Sequence, residues 1–212
     1  MIKPPDEVLA YASVLALNRR DIKILGIRDA YSLHKVVYGL FEDTRSLEDK
    51  ENSVSSGIVY VDKGGDFNVR RILMLSNRKP HQTPQFGEVE TKPIHKNFLS
   101  HTTYAFEAKL NPSKRDKDTG KVISIRGREA IEKWFKLRAS QSWGFSVNPE
   151  SLQVENLSVQ SFEKNGQVIT HGSAIFKGTL TVESRERFPL SFVQGIGRGR
   201  SFGFGLLQIQ PL

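Results

Sequence analysis

Two stretches hold side chains able to do chemistry. In the first, Tyr31 and His34 stand about one helical turn apart. An imidazole, with its ordinary pKa about 6.5, gives or takes a proton close to neutrality. A phenol one turn earlier can orient a phosphate or assist the transfer. The second is Gly195-Ile196-Gly197-Arg198-Gly199-Arg200-Ser201-Phe202-Gly203-Phe204-Gly205. Its glycines let another molecule approach the backbone, and its two guanidinium forks match phosphate. An anion is the natural ligand: a nucleotide, a cofactor pyrophosphate or an RNA backbone. RNA strand scission uses parts of both kinds. One group takes the proton of the attacking ribose 2′-OH, another protonates the leaving 5′-oxygen, and positive charge steadies the phosphorane. That route requires neither metal nor a water nucleophile.

Plainer readings stand beside these. His34 also fits a partly buried helix histidine satisfied by hydrogen bonds, and Tyr31 an amphipathic packing residue. The glycine-rich tract also fits a turn before a terminal strand, with its arginines facing water. A dinucleotide fingerprint is a poor match, because the tract leads into a strand and leaves no room for the acidic residue expected about 20 positions on. It lacks the P-loop order as well. His81, His95, His101 and His171 are scattered, so a zinc site has no close-spaced ligand set. No paired carboxylates suggest two-metal chemistry. No metal or cofactor is expected.

The 212 residues carry a net charge of +8 and no cysteine. The basic balance favours polyanionic partners, and lack of cysteine excludes disulfides, thiolate metal sites and a cysteine nucleophile. No apolar run is long enough to span a bilayer and the first residues lack a signal-peptide core, so a cytoplasmic protein with no membrane partner is expected. Positive charge gathers at 70–79, in 109–138 and in 185–200. Lys114 and Arg115 lie in a charged loop spanning 111–121, and Lys133, Lys136 and Arg138 on the helix after it. Solvated surface and polyanion contact are both open for these groups. Phe202 and Phe204 suit base stacking, although alternation favours at least one as core.

The elements that must position these groups follow from periodicity. An apolar run over 8–17 predicts a strand covered on both faces, closed by Arg19 to Asp21. Asp29 predicts a cap for a helix to about Phe41, with Leu33, Val36, Val37 and Leu40 buried and Tyr31, His34 and Tyr38 on another face. A polar loop over 42–56, strands over 58–61 and 70–75, and an irregular proline-bearing segment over 76–92 with a short strand near Val89 follow. Then come a strand over 103–110, a helix over 127–140 burying Ile131, Trp134, Phe135 and Leu137, and long strands over 152–162 and 168–182 joined at Lys164-Asn165-Gly166. A short helix over 189–194 and a terminal strand finish the chain. Each half opens strand, helix, hairpin, the start of a ferredoxin-like βαββαβ unit. The predicted class is α+β, with two tandem ferredoxin-like domains over 1–95 and 96–212, the first lacking a convincing second helix. One mixed α+β domain is the runner-up.

Four stretches together carry a family resemblance: Tyr31-Ser32-Leu33-His34, the run from Phe106 to Pro112, the run from Phe176 to Thr181, and Gly195 to Leu207 with its Gln208-Ile209-Gln210-Pro211-Leu212 end. In their order and spacing the chain resembles the CRISPR repeat-processing endoribonucleases of the type I-E Cascade complex, the CasE family, over nearly its full length. That resemblance implies tandem ferredoxin-like domains and metal-free cutting at the 3′ base of a CRISPR repeat stem-loop. It implies 2′,3′-cyclic phosphate and 5′-OH ends, retention of the mature guide RNA, and association with other Cascade subunits. It places the family's tyrosine and histidine on Tyr31 and His34. It puts the glycine-rich tract, with Gly197, Arg198, Gly199, Arg200 and Ser201, in the core architecture and on the RNA-facing surface; Lys114 and Arg115 are RNA-binding candidates from their place in the basic loop. Lys164, Lys177 and Arg198 are its candidates for the basic group near the scissile phosphate and the hairpin in the stem groove. The proline-bearing segment over 76–92 departs from relatives, which have a clearer helix there. A non-catalytic RNA-binding subunit and a metal-dependent nuclease are the competing functions.

Overall fold

A computed structural model describes residues 7–52, 54–66, 68–81, 84–164 and 166–212, with the side chain of Lys164 outside that description. The fold is α+β. Its first strand, β1 (Val8–Asn18), ends where Asn18 caps a short helix, α1 (Arg19–Ile24). The Asn18 side chain accepts the Asp21 N–H at 2.9 Å, so the predicted strand end is also an unforeseen helix start. Helix α2 (Ala30–Gly39) begins at the expected cap. Asp29 Oδ1 accepts the Ser32 N–H at 2.7 Å while Ser32 Oγ accepts the Asp29 N–H at 2.9 Å, which satisfies two end donors reciprocally. A one-turn helix, α3 (Leu47–Glu51), interrupts the predicted loop.

Strands β2 (Ile58–Gly65), β3 (Val69–Ser76) and β4 (Glu88–His95) join β1 in an antiparallel sheet of order β2-β3-β1-β4. No helix occurs among the described residues between β3 and β4. The sheet is apolar on both faces for a physical reason. Leu15, Leu17, Tyr60, Ile72 and Met74 pack under α2, against Leu33 and Val37. Ala10, Val59, Val61 and Leu75 face the other way and join the core of the second half.

That second half contains β5 (Thr103–Leu110), a small hairpin of β6 (Ser113–Arg115) and β7 (Val122–Ser124), and α4 (Arg128–Arg138). After it come β8 (Phe145–Val147), β9 (Gln153–Lys164), β10 (Gln167–Val182), α5 (Arg187–Gln194) and β11 (Leu207–Pro211). The sheet runs β11-β5-β10-β8, with β9 also pairing along β10. Helix α4 is held by Phe135, stacked on Phe176 with centroids 4.2 Å apart. Ile131 is buried with it, but Leu137 is 52% exposed, contrary to expectation. Two residues along a helix turn it nearly to the opposite side from Phe135. The charged loop over 111–121 is likewise more ordered than predicted, since its ends pair as β6 and β7.

Candidate active site and nucleic-acid interface

The glycine-rich tract is a built loop joining α5 to β11. Its ends are clasped: the Ile196 N–H donates to Gly205 O at 2.9 Å, and the Gly205 N–H donates to Lys109 O at 2.8 Å. Gly205 has φ +87°, and a Cβ there would lie 2.5 Å from Ile196 O, so no other residue fits without the clasp opening. Within the loop, Arg200–Phe202 form one 3-10 turn. Arg200 reaches back to donate to Gln194 O at 3.0 Å, which ties it to the end of α5. Ser201 is bound to the first half of the chain twice. Its carbonyl accepts from the Tyr60 hydroxyl at 3.1 Å, and its Oγ accepts from the Tyr38 hydroxyl at 3.4 Å. Burial pushes the Tyr60 phenol well above its ordinary range, so it stays a donor.

This docking brings the loop onto the face of α2 that the spacing of Tyr31, His34 and Tyr38 defines. The His34 ring centroid lies 4.1 Å from that of Tyr38, 6.2 Å from that of Tyr31 and 5.6 Å from that of Phe202. Lys35 Nζ sits 4.4 Å from the Tyr31 ring centroid. An imidazole, two phenols and a primary ammonium thus share one place with the loop. Sequence reasoning missed Lys35, whose adjacency to His34 was the only available signal. Of the two loop phenylalanines, Phe204 is fully buried. Phe202 instead bridges His34 to a second aromatic group, with Phe162 at 4.5 Å and His171 at 5.7 Å between centroids.

From Arg198 of the loop, a groove of about 850 Å³ runs between the β6–β7 hairpin and α4. Lys114, Arg115, Arg126, Lys133, Arg138 and Arg198 line it. None of the six makes an ion pair with a carboxylate of the described residues. Their charge is therefore available to a polyanion. Arg126 is an addition to the sequence-based candidates; nothing but its charge distinguished it there. Arg198 also lines a second cleft of about 580 Å³, together with Gly197, Gly199, Arg200 and Ser201.

Of the remaining basic candidates, Lys177 stands apart. Lys177 donates to Glu155 at 2.8 Å and lies 3.9 Å from Glu107, and these carboxylates hold its ammonium above the ordinary range. It lines neither opening. Lys164 ends β9 with its side chain outside the described residues, as is Asn165 of the predicted turn. Among the described residues no cluster of three or more His, Cys, Asp or Glu could hold a metal ion, and no helix is long and apolar enough to cross a membrane.

A family model described as "CRISPR associated protein" matches residues 10–211. The CRISPR-associated endoribonuclease Cse3 of Thermus thermophilus is 28% identical over 130 residues, an alignment that spans 57% of this chain and 61% of that protein. The CRISPR system Cascade subunit CasE of Escherichia coli K12 is 23% identical over 192 residues, covering 87% of this chain and 94% of that one. A solved structure of CRISPR endoribonuclease Cse3 bound to a 19-nucleotide RNA is similar in fold. Its TM-score is 0.78 at 19% identity, over 95% of this chain and 99% of the other.

Proposed function

The chain belongs to the CRISPR-associated protein family, and from that premise we propose that it is a metal-independent endoribonuclease that processes precursor CRISPR RNA. The observation that carries the proposal is the meeting of His34 with the glycine-arginine loop through Phe202, beside a groove lined by six cations that pair with no described carboxylate. The groove takes the phosphates of a repeat stem, whose paired RNA is read through shape and backbone. Lys114 and Arg115 on the hairpin, with Arg126, Lys133 and Arg138, then set the position of the strand to be cut.

At the scissile linkage the ribose 2′-oxygen loses its proton and bonds to phosphorus, and the phosphorus–O5′ bond breaks. The leaving oxygen takes up a proton, so the products are a 2′,3′-cyclic phosphate and a 5′-OH. His34 serves one of the two proton transfers. Tyr31 orients the phosphate, and Lys35 and Arg198 supply positive charge to the phosphorane. Arg200, bonded to Gln194, holds the shape of the loop as well as contributing charge. The strand orders 4-1-3-2 of both halves support a tandem ferredoxin-like architecture, with the units over 1–95 and 96–212. Retention of the cut guide RNA and assembly with other Cascade subunits accord with the relative named as such a subunit.

The test is to incubate a repeat stem-loop with the protein in chelator and analyse the ends. A cyclic phosphate on the upstream fragment is expected. Intact RNA bound tightly would instead identify a non-catalytic RNA-binding subunit, and cutting abolished by chelator a metal-dependent nuclease.

A further inference from the structure

The cleft beside the loop contains two inward polar atoms that the mechanism does not use. Asn111 directly follows β5 and is only 5% exposed. Its main chain is fixed, since its carbonyl accepts from Ser113 Oγ at 3.3 Å and the Pro112 carbonyl accepts the Ile125 N–H at 3.0 Å. Its Oδ1, however, is buried without a hydrogen bond from any described residue. The same holds for Nδ1 of His171 on β10. That nitrogen faces the loop, 3.7 Å from where a Cβ on Gly199 would stand. Burial lowers the His171 pKa, so the ring is neutral at pH 7. A buried polar atom left without a hydrogen bond is costly. Both atoms therefore call for a partner that enters the cleft.

The chemistry of the cleft selects that partner. The Asn111 amide oxygen can only accept a hydrogen bond, so the floor at that point suits a donor and not a phosphate oxygen. A flat neutral group with hydrogen-bond donors fits. Arg198 stands at the boundary with the basic groove, where the phosphate attached to such a group would lie. A volume of about 580 Å³ accommodates one nucleotide.

We propose that this cleft captures the base of one unpaired nucleotide of the RNA next to the stem, with Asn111 Oδ1 accepting from its donor edge and His171 Nδ1 as second contact. Asn111 and His171 are then specificity-determining residues, not catalytic ones. The proposal rests on the RNA-processing function above, but its readout is affinity and does not require that His34 cut. Two variants serve. Asn111→Ala removes the acceptor. Gly172→Ala puts a methyl 3.9 Å from Asn111 Oδ1 and 3.8 Å from Ser124 Oγ, ordinary contacts that narrow the cleft without disturbing the backbone.

Affinity is measured by filter binding for a series of repeat RNAs, each abasic at one unpaired position. In the unaltered protein one position should be sensitive, its lesion weakening binding about 10-fold or more, as expected for a lost base contact of 1–3 kcal/mol. In Asn111→Ala and Gly172→Ala proteins that same lesion should cost less than about 2-fold, because the contact is already gone. If no unpaired position is sensitive, or if the lesion costs as much in both variants as in the unaltered protein, the assignment is overturned. Failure of the unaltered protein to bind the intact repeat at all would be a failure of the functional reading itself.

Discussion

Phe202 of the glycine-rich loop and His34 of α2 pack ring to ring with centroids 5.6 Å apart, across the boundary between the two halves of the chain. Under the proposed function, the contact makes the loop a positioning element for the imidazole as well as an anion cradle. Phe202→Ala should therefore reduce the single-turnover cleavage rate by about 10–100-fold, since displacement of a reacting group by about an ångström costs that order. RNA affinity, assigned by the proposal to the basic groove, which Phe202 does not line, should change less than about 3-fold. Loss of affinity with an unchanged rate would reverse these roles.

The loop should also show graded intolerance of side chains. Gly205→Ala meets Ile196 O at 2.5 Å in addition to its positive φ, whereas a Cβ on Gly197 meets only Leu110 Cδ2 at 3.7 Å. Gly197→Ala then costs only the backbone conformation, about 1–2 kcal/mol. Gly205→Ala must exceed that, with its melting temperature lower by at least about 4 °C than that of Gly197→Ala. Equal melting temperatures would contradict the clasp between Ile196 and Gly205.

Two basic candidates should separate under salt. Arg198 lines the basic groove and pairs with no described carboxylate, while Lys177 is held by Glu155 and Glu107. Arg198→Ala should weaken RNA binding and reduce the slope of log affinity against log salt by about 1. Lys177→Ala should leave that slope unchanged. The titration of binding against salt for both variants decides the matter.

Much of this was legible in the chain. The cap at Asp29, the stripe of Leu33 and Val37, and the doubly apolar β1 are local signals that tertiary structure left intact. Helical spacing alone put Tyr31 beside His34, and the rings do lie together. Long-range groupings were not legible. That Lys177 faces two carboxylates depends on β10 lying between β5 and β9, and no local pattern reveals it. Short elements were missed for a related reason. Strand β8, three residues long, is too brief for periodicity and exists because Leu180 to Val182 present it an edge. The packing of Phe204 inside and Phe202 against His34 follows from the tight turn between them, which no strand alternation describes.

The cap of α2 carries an acid signature. Hydrogen bonds from the Ser32 N–H and hydroxyl hold the Asp29 carboxyl below its ordinary value of 3.8. A depressed folded-state pKa contributes stability above the unfolded value, and that contribution is lost as pH falls through the folded one. Asp29→Asn keeps a cap but cannot titrate. The stability difference between the two proteins should be constant from pH 5 to 7 and shrink below about pH 4. Thermal melts across that range check it; a difference that grows in acid would contradict the sign.

The most direct test is single-turnover cleavage of a repeat stem-loop by the unaltered protein and by His34→Ala, both in chelator and both at saturating protein. Loss of a proton-transfer group predicts a rate about 10²–10⁴-fold lower for the variant, with RNA affinity preserved. Undiminished cleavage by His34→Ala would contradict the account at its centre.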